Sequence, residues 1–337
     1  MPKAMTRWER VQAALEGAEV DRIPISLWKH YHLQDRAPGR LAAATLALHR
    51  QFDTDLIKLT PSGLYPIQDW GATIEYGMDD ETMPLAVQPV VATARDWQTL
   101  PRLDVRQGAL ARELETIHRL AAALEGSVPF MMTLFSPLTI AHKLCGDRVS
   151  GEQVVSLLRN APGQVHQGLR LIRDVVIDYA TACLEAGAPG FFFATQMATA
   201  DLLTPDEYSE FSRPYDLAVL ESLQGRSRVT MLHVCKDNLM FDLVADYPVH
   251  AINWAAHTSG TGLADARRLT GRALAGGLAL DTLQTGSEEM VLAEARRAIA
   301  QAGRKGFILA PDCVVPGPSP DANLAAARRA VDESAPA

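Results

Sequence analysis

Val128–Phe135 reads VPFMMTLF and Pro189–Ala194 reads PGFFFA. Both runs are almost wholly apolar and neither alternates polar with apolar side chains. A strand with one face in water alternates, so these runs predict strands covered on both faces, as in a parallel sheet. Working outward, comparable segments occur at Ile23–Leu27, Leu56–Leu59, Val229–Leu232, Ala251–Asn253, Ala273–Ala275 and Phe307–Leu309. With Phe130–Leu134 and Phe191–Phe193 they make eight. Helix-length segments separate most of them. One runs on from Thr204, a capping residue type followed by Pro205 and acidic residues, through to Gln224. Another opens on Ser287 and ends at Gly303, and a last one opens on Ser319-Pro320. Eight strands with interposed helices predict a single (β/α)8 TIM barrel spanning 1–337. An open doubly wound sheet fits less well, because no G-x-G-x-x-G follows the first strand. An amphipathic helix from about Thr6 to Gly17 precedes the barrel, and Asp69–Leu103 reads as a hairpin and loop inserted after the second strand.

The chain has 337 residues, 47% hydrophobic and 21% charged, which excludes disorder as a description of the whole. A net charge of −8 argues against a broad basic face for nucleic acid. No stretch of about 18 apolar residues and no signal-peptide core is present, so no membrane role and a cytoplasmic location are expected. Four cysteines, Cys145, Cys183, Cys235 and Cys313, are too few for a disulfide framework in a chain of this length. Cys145 and Cys183 fall on helical segments and read as core.

In such a barrel, chemistry sits at the C-terminal ends of the strands. Those ends carry His233 and Cys235 after the fifth predicted strand, and Asp312 and Cys313 after the eighth. In extended backbone, His-x-Cys puts both side chains on one face, because the strand repeat is two. Two ligands from one strand end, a third from another and an open fourth position describe a catalytic zinc. The same residues also read as a packed histidine and buried cysteines. Lys58 lies within the second predicted strand, where a lysine needs a partner or a functional reason.

Four stretches carry a family resemblance: ERVQAALEGAEVDRIPISLW from Glu9, ATADLLTPDEYSEFSRPY from Ala198, HVCKDNLMFDLVADYPVHAINW from His233 and ILAPDCVVPGPSPDANLAAARRAV from Ile308. Over about residues 6–333 the chain resembles the uroporphyrinogen decarboxylase superfamily. That resemblance implies a (β/α)8 barrel with its cleft at the C-terminal face. The decarboxylase branch uses an arginine-rich loop, an aspartate, a tyrosine and a histidine. Here those places hold Lys29–Leu33, Ser62, Lys143 and Cys313. A substrate with many carboxylates needs clustered cations, and the first loop lacks the arginines.

The chain is closer to the superfamily's zinc-containing, cobalamin-dependent methyltransferases, which hold zinc with His-x-Cys and a later cysteine. His233, Cys235 and Cys313 match that pattern residue by residue. The resemblance implies zinc, a corrinoid supplied by a partner protein or as free cobalamin, and a thiol or small methylated substrate. If zinc is bound, Asp281, at the end of the seventh predicted strand, and Asp312 are the candidate catalytic carboxylates, as a fourth ligand or by orienting His233. Gln196, Asn253, His257, Tyr65 and Lys143 are the expected substrate contacts. Decarboxylase relatives suggest a homodimer. The chain departs from the branch at Thr195-Gln196 and Asn253, where acids are found, and at Lys236, where glycine is usual. A metal-independent decarboxylase or lyase on a carboxylated substrate, with lysines lining the cleft, and a non-catalytic binding protein are the other two readings.

Overall fold

The computed structural model describes residues 4–146 and 151–335. Its strands, in chain order, are β1 (Ile57–Leu59), β2 (Ile74–Glu75), β3 (Leu85–Ala86), β4 (Phe130–Phe135), β5 (Gly190–Thr195), β6 (Val229–Val234), β7 (Ala251–Trp254), β8 (Ala273–Leu278) and β9 (Phe307–Pro311). Seven of these form one parallel sheet in the order β1-β4-β5-β6-β7-β8-β9. Every residue of those seven strands is buried, as unbroken apolar runs require of a sheet with helices outside and side chains within.

The segment Pro24–Ser26 closes the sheet into a barrel. Leu309 N donates to Pro24 O and Ser26 N to Leu309 O, while Asp55 N and Leu56 N both donate to Ile25 O. The expected first strand, Ile23–Leu27, is thus reduced to a single parallel bridge at Ile25. The reason lies in the backbone donors: Pro24 has none, and Ile25 N donates to the side-chain Oδ2 of Asp55 rather than to a neighbouring strand.

Asp55 fastens this closure. Its carboxylate is fully buried and receives Arg10 Nη1 at 2.7 Å, Arg22 Nη1 at 2.6 Å and Ile25 N at 3.0 Å. Arg10 also pairs with Asp21. The Asp21-Arg22-Ile23-Pro24 stretch therefore ties the N-terminal helix Arg7–Leu15 to the bottom of the barrel, opposite the catalytic end. Thr6 caps that helix in a capping box with Glu9.

Two helix expectations need correction. The segment from Thr204 is two helices, Pro205–Phe211 and Arg213–Leu223, broken at Ser212. Pro214 explains the break: it offers no N–H, so the helical bond back to Glu210 O cannot form. The last helix spans Asp321–Asp332 with Pro320 as its N-cap, one residue later than the Ser-Pro pair suggests. By contrast, Thr204 caps its helix through a capping box with Glu207, and Ser287 caps the helix that ends at Gly303. Between β1 and β4, β2 and β3 form a two-stranded antiparallel pair. No helix among the described residues is long and apolar enough to cross a membrane.

Removing one partner of a buried ion-pair cluster strands the other charges. Asp55→Ala should therefore cost about 3–5 kcal/mol in urea unfolding. A loss under about 1 kcal/mol would show that the Arg10–Asp55–Arg22 cluster does not hold the barrel closed.

Candidate metal centre and its cavity

His233 is the fifth residue of β6, and β6 pairs with β7 so that His233 lies opposite Asn253. Its Nδ1 hydrogen bonds Asn253 Oδ1 at 2.6 Å. Asn253 Nδ2 donates to Ala275 O of β8 and to Pro311 O of β9, both at 3.0 Å. With both amide protons spent on carbonyls, the oxygen must face the imidazole and accept its proton. The Nδ1–H tautomer of the neutral ring follows, and Nε2 is left with its lone pair. That nitrogen lies 3.6 Å from Cys313 Sγ. Phe192 of β5 stacks on the other side of the ring, centroids 5.0 Å apart.

Cys235 follows β6 directly, and its backbone N–H donates to Thr195 O, which keeps it in register with β5. The period of two then turns Cys235 to the same face as His233. Cys313 arrives two residues beyond β9. One ligand atom from each of His233, Cys235 and Cys313 lies within 4.8 Å of the others. Tetrahedral zinc with bonds of about 2.3 Å to sulfur and about 2.0 Å to nitrogen spaces its ligand atoms by roughly 3.5–3.8 Å. The donor set and its spacing fit that ion. Contact with Cys313 lowers the pKa of Cys235 to about 7, and the same contact pushes that of Cys313 up.

Asp312 braces the next loop. Its Oδ2 accepts His257 N at 3.0 Å and lies 2.8 Å from His257 Nδ1, while Oδ1 accepts Gly277 N at 3.2 Å. The hydrogen bond to Asp312 raises the pKa of His257 above its ordinary value. Lys236, where the resemblance expects glycine, has φ of 87°. The chain therefore turns through the left-handed region right after Cys235, which glycine enters freely and lysine does not.

A cavity of about 410 Å³ opens beside the cluster. Cys235, Cys313 and His233 line it, with Trp28, Phe135 and Phe192 as aromatic walls and Lys58 and Lys143 as cations. Asp80, Glu81 and Met83 from the β2–β3 connection form part of its rim, and His30 and His32 another part. Burial, the largest influence on Lys58, depresses its pKa to about 7 against the pull of Cys313 and Cys235.

Of the expected substrate contacts, Gln196 and Lys143 line this cavity and the other three do not. Asn253 is fully buried behind His233 and orients it. His257 is held by Asp312. Tyr65 is buried among Phe135 and Tyr179, its hydroxyl donating to Thr133 O. Asp281 sits in the first turn of the helix Leu280–Thr285, where Thr285 Oγ1 donates to its carbonyl and faces its carboxylate. Cys145 and Cys183 are buried away from the cluster, as core residues. The aromatic walls and the rim of the β2–β3 connection went unread in the sequence. Trp28 and Phe192 looked like ordinary core.

The family model for uroporphyrinogen decarboxylase (URO-D) matches residues 6–334. The chain belongs to the uroporphyrinogen decarboxylase family. Its relatives include a methylcobamide:CoM methyltransferase, MtaA, of Methanosarcina barkeri, 24% identical over 343 residues and covering 96% of this chain and 97% of the relative. They also include a uroporphyrinogen decarboxylase of Xanthomonas axonopodis pv. citri, 28% identical over 324 residues and covering 88% of each. Among solved structures, a methyltransferase from Methanosarcina mazei superposes with a TM-score of 0.84 at 23% identity, over 98% of this chain and 99% of that one. That likeness is one of fold. Members of the uroporphyrinogen decarboxylase family compared in this way are enzymes of two kinds, and this chain is an enzyme of that family.

The tautomer is open to direct measurement. Long-range ¹⁵N–¹H correlation spectra of metal-free protein should show His233 protonated at Nδ1 and bare at Nε2. Asn253→Ala should give a mixture of the two tautomers. A bare Nδ1 in the wild-type chain would contradict the assignment.

Proposed function

We propose that this enzyme is a zinc-dependent methyltransferase that moves a methyl group between a corrinoid and the sulfur of a thiol, or another small methylated substrate. The observation that carries the reading is the meeting of His233 Nε2, Cys235 and Cys313 at a cavity wall, with the histidine already in the ligating tautomer. The donor set is nitrogen and two sulfurs from protein, which leaves a fourth position toward the cavity for substrate. Zinc bound there would hold an incoming thiol as a thiolate near neutral pH.

The protein's own residues do the rest. Asn253 keeps Nε2 of His233 pointed at the metal position by holding the proton on Nδ1. Asp312 pins the backbone next to Cys313 to β8 and to the loop after β7, so the third ligand is held by two elements besides its own strand. Trp28, Phe135 and Phe192 exclude water from the reacting sulfur. Gln196 and Lys143 face the bound substrate. A corrinoid, whether carried by a partner protein or free, would supply or accept the methyl group at this cavity.

Methyl transfer agrees with the similarity to the methylcobamide:CoM methyltransferase of M. barkeri. The decarboxylase reading is less well supported. No arginine lines the cavity among the described residues, and Cys313 stands where the resemblance expects the decarboxylases' histidine.

Protein purified without added metal or chelator should carry about one zinc per chain, lost in Cys235→Ala and in Cys313→Ala. It should demethylate methylcobalamin in the presence of a thiol, and both variants should abolish this. Asn253→Ala should keep the ligands but weaken zinc binding about 10–100-fold in chelator competition. Wild-type protein that takes up no zinc even after reconstitution under reducing conditions would refute the proposal.

A further inference from the structure

Lys29–Asp35 reads KHYHLQD and makes the turn that follows the closing segment of the barrel. Gln34 N and Asp35 N both donate to Tyr31 O, so the chain doubles back and brings His32 and Asp35, three residues apart, together. Asp35 is 1% exposed, and His32, which lines the cavity, is 5% exposed. His32 Nδ1 lies 3.7 Å from Asp35 Oδ2. Among the described residues no hydrogen-bond donor reaches either oxygen of Asp35, and His32 Nδ1 has no other partner. A buried carboxylate ordinarily has a charged or hydrogen-bonded partner, because burial without one costs several kcal/mol, roughly. The acids of the rim do not compete for the ring: Asp79 accepts Glu81 N and Thr82 N, and Asp80 accepts Leu33 N.

The pair is an imidazole with a carboxylate behind it. A proton on Nδ1 faces Asp35, and Nε2 is the nitrogen left for the cavity. His233 has a neutral amide behind it, which fixes its tautomer and adds no charge. A carboxylate fixes the tautomer too, and it also stabilises the imidazolium that forms when Nε2 takes up a proton. That is the arrangement of a general base. His30 stacks on His32 with ring centres 5.0 Å apart, so this His-x-His pair presents parallel faces, and it joins no metal cluster among the described residues. The reaction proposed above has a proton to dispose of. A thiol that binds as a thiolate gives one up, while Trp28, Phe135 and Phe192 keep bulk water from the sulfur.

We propose that His32, held by Asp35, is the group that takes the proton of the incoming thiol; the inference rests on the proposed function, which supplies that thiol. The S–H bond breaks, its electron pair stays on the sulfur as it meets the position held by His233, Cys235 and Cys313, and the proton passes to His32 Nε2. His32 then gives a proton from Nε2 to water at the rim and returns to its starting tautomer. His32 is a catalytic residue in this account. Asp35 is a positioning residue, which acts by holding the proton on Nδ1.

The test follows thiol capture apart from methyl transfer. Protein loaded with cobalt(II) in place of zinc is mixed with 2-mercaptoethanol in dilute buffer by stopped flow, and the added sulfur-to-cobalt charge-transfer absorption reports the captured thiolate. His32→Gln should slow capture about 100-fold, the scale of general base catalysis, with equilibrium affinity kept within about threefold because the proton ends in solvent either way. Added imidazole should restore much of the lost rate. Asp35→Asn should also slow capture at unchanged affinity, since an amide can donate to Nδ1 and move the ring proton to Nε2. Long-range ¹⁵N–¹H spectra should show that switched tautomer. Capture by His32→Gln at the wild-type rate, or a slowed rate that imidazole does not restore, overturns the proposal. Protein that takes up neither zinc nor cobalt, or captures no thiol, would contradict the proposed function itself; metal-loaded protein that captures thiol at a rate independent of His32 would contradict this inference alone.

Discussion

The site depends on one hydrogen bond, from His233 Nδ1 to Asn253 Oδ1. The bond is short and fully buried, and its direction is not free. Asn253 has committed its two amide protons to carbonyls of β8 and β9, so its oxygen has one orientation. Four strands, β6 through β9, thereby decide where a lone pair points. A metal ligand built this way loses little entropy when it binds, since neither the ring nor its tautomer must be selected then. The same arrangement makes the parallel register of β6 and β7 a functional property. A slip of one residue would turn His233 out of the barrel.

Much of this was legible in the residues. Unbroken apolar runs announced strands buried on both faces, and the barrel followed from their number and spacing. The period of two put His233 and Cys235 on one face. The link to Cys313 came from the barrel reading, which brings the ends of the fifth and eighth predicted strands to one face, and the resemblance strengthened it. Lys58 was visible as an anomaly because a strand buried on both faces has no ordinary place for an ammonium.

What stayed hidden was register and side-chain direction. Asn253, read as a substrate contact, turned out to stand behind His233, because only the pairing of β6 with β7 brings the two together. Tyr65 and Asp281 follow strand ends in sequence, yet one points into the packing beneath the helices and the other accepts from Thr285 Oγ1 one turn along its own helix. Position after a strand does not say which way a side chain faces. The break at Ser212 was readable from Pro214, and the helical pattern on both sides masked it. At Lys236 a departure from the family pattern acquires a physical meaning: the left-handed turn that glycine would make without strain is made here by a lysine at the cavity wall.

The central claim is that His233, Cys235 and Cys313 form one preorganised zinc site. Zinc K-edge absorption spectroscopy of the purified protein tests it most directly. The account predicts a first shell of two sulfurs at about 2.3 Å and one nitrogen at about 2.0 Å, with a light-atom fourth ligand that becomes sulfur on adding a thiol. A shell of oxygen and nitrogen without sulfur, or one that a thiol leaves unchanged, would contradict it.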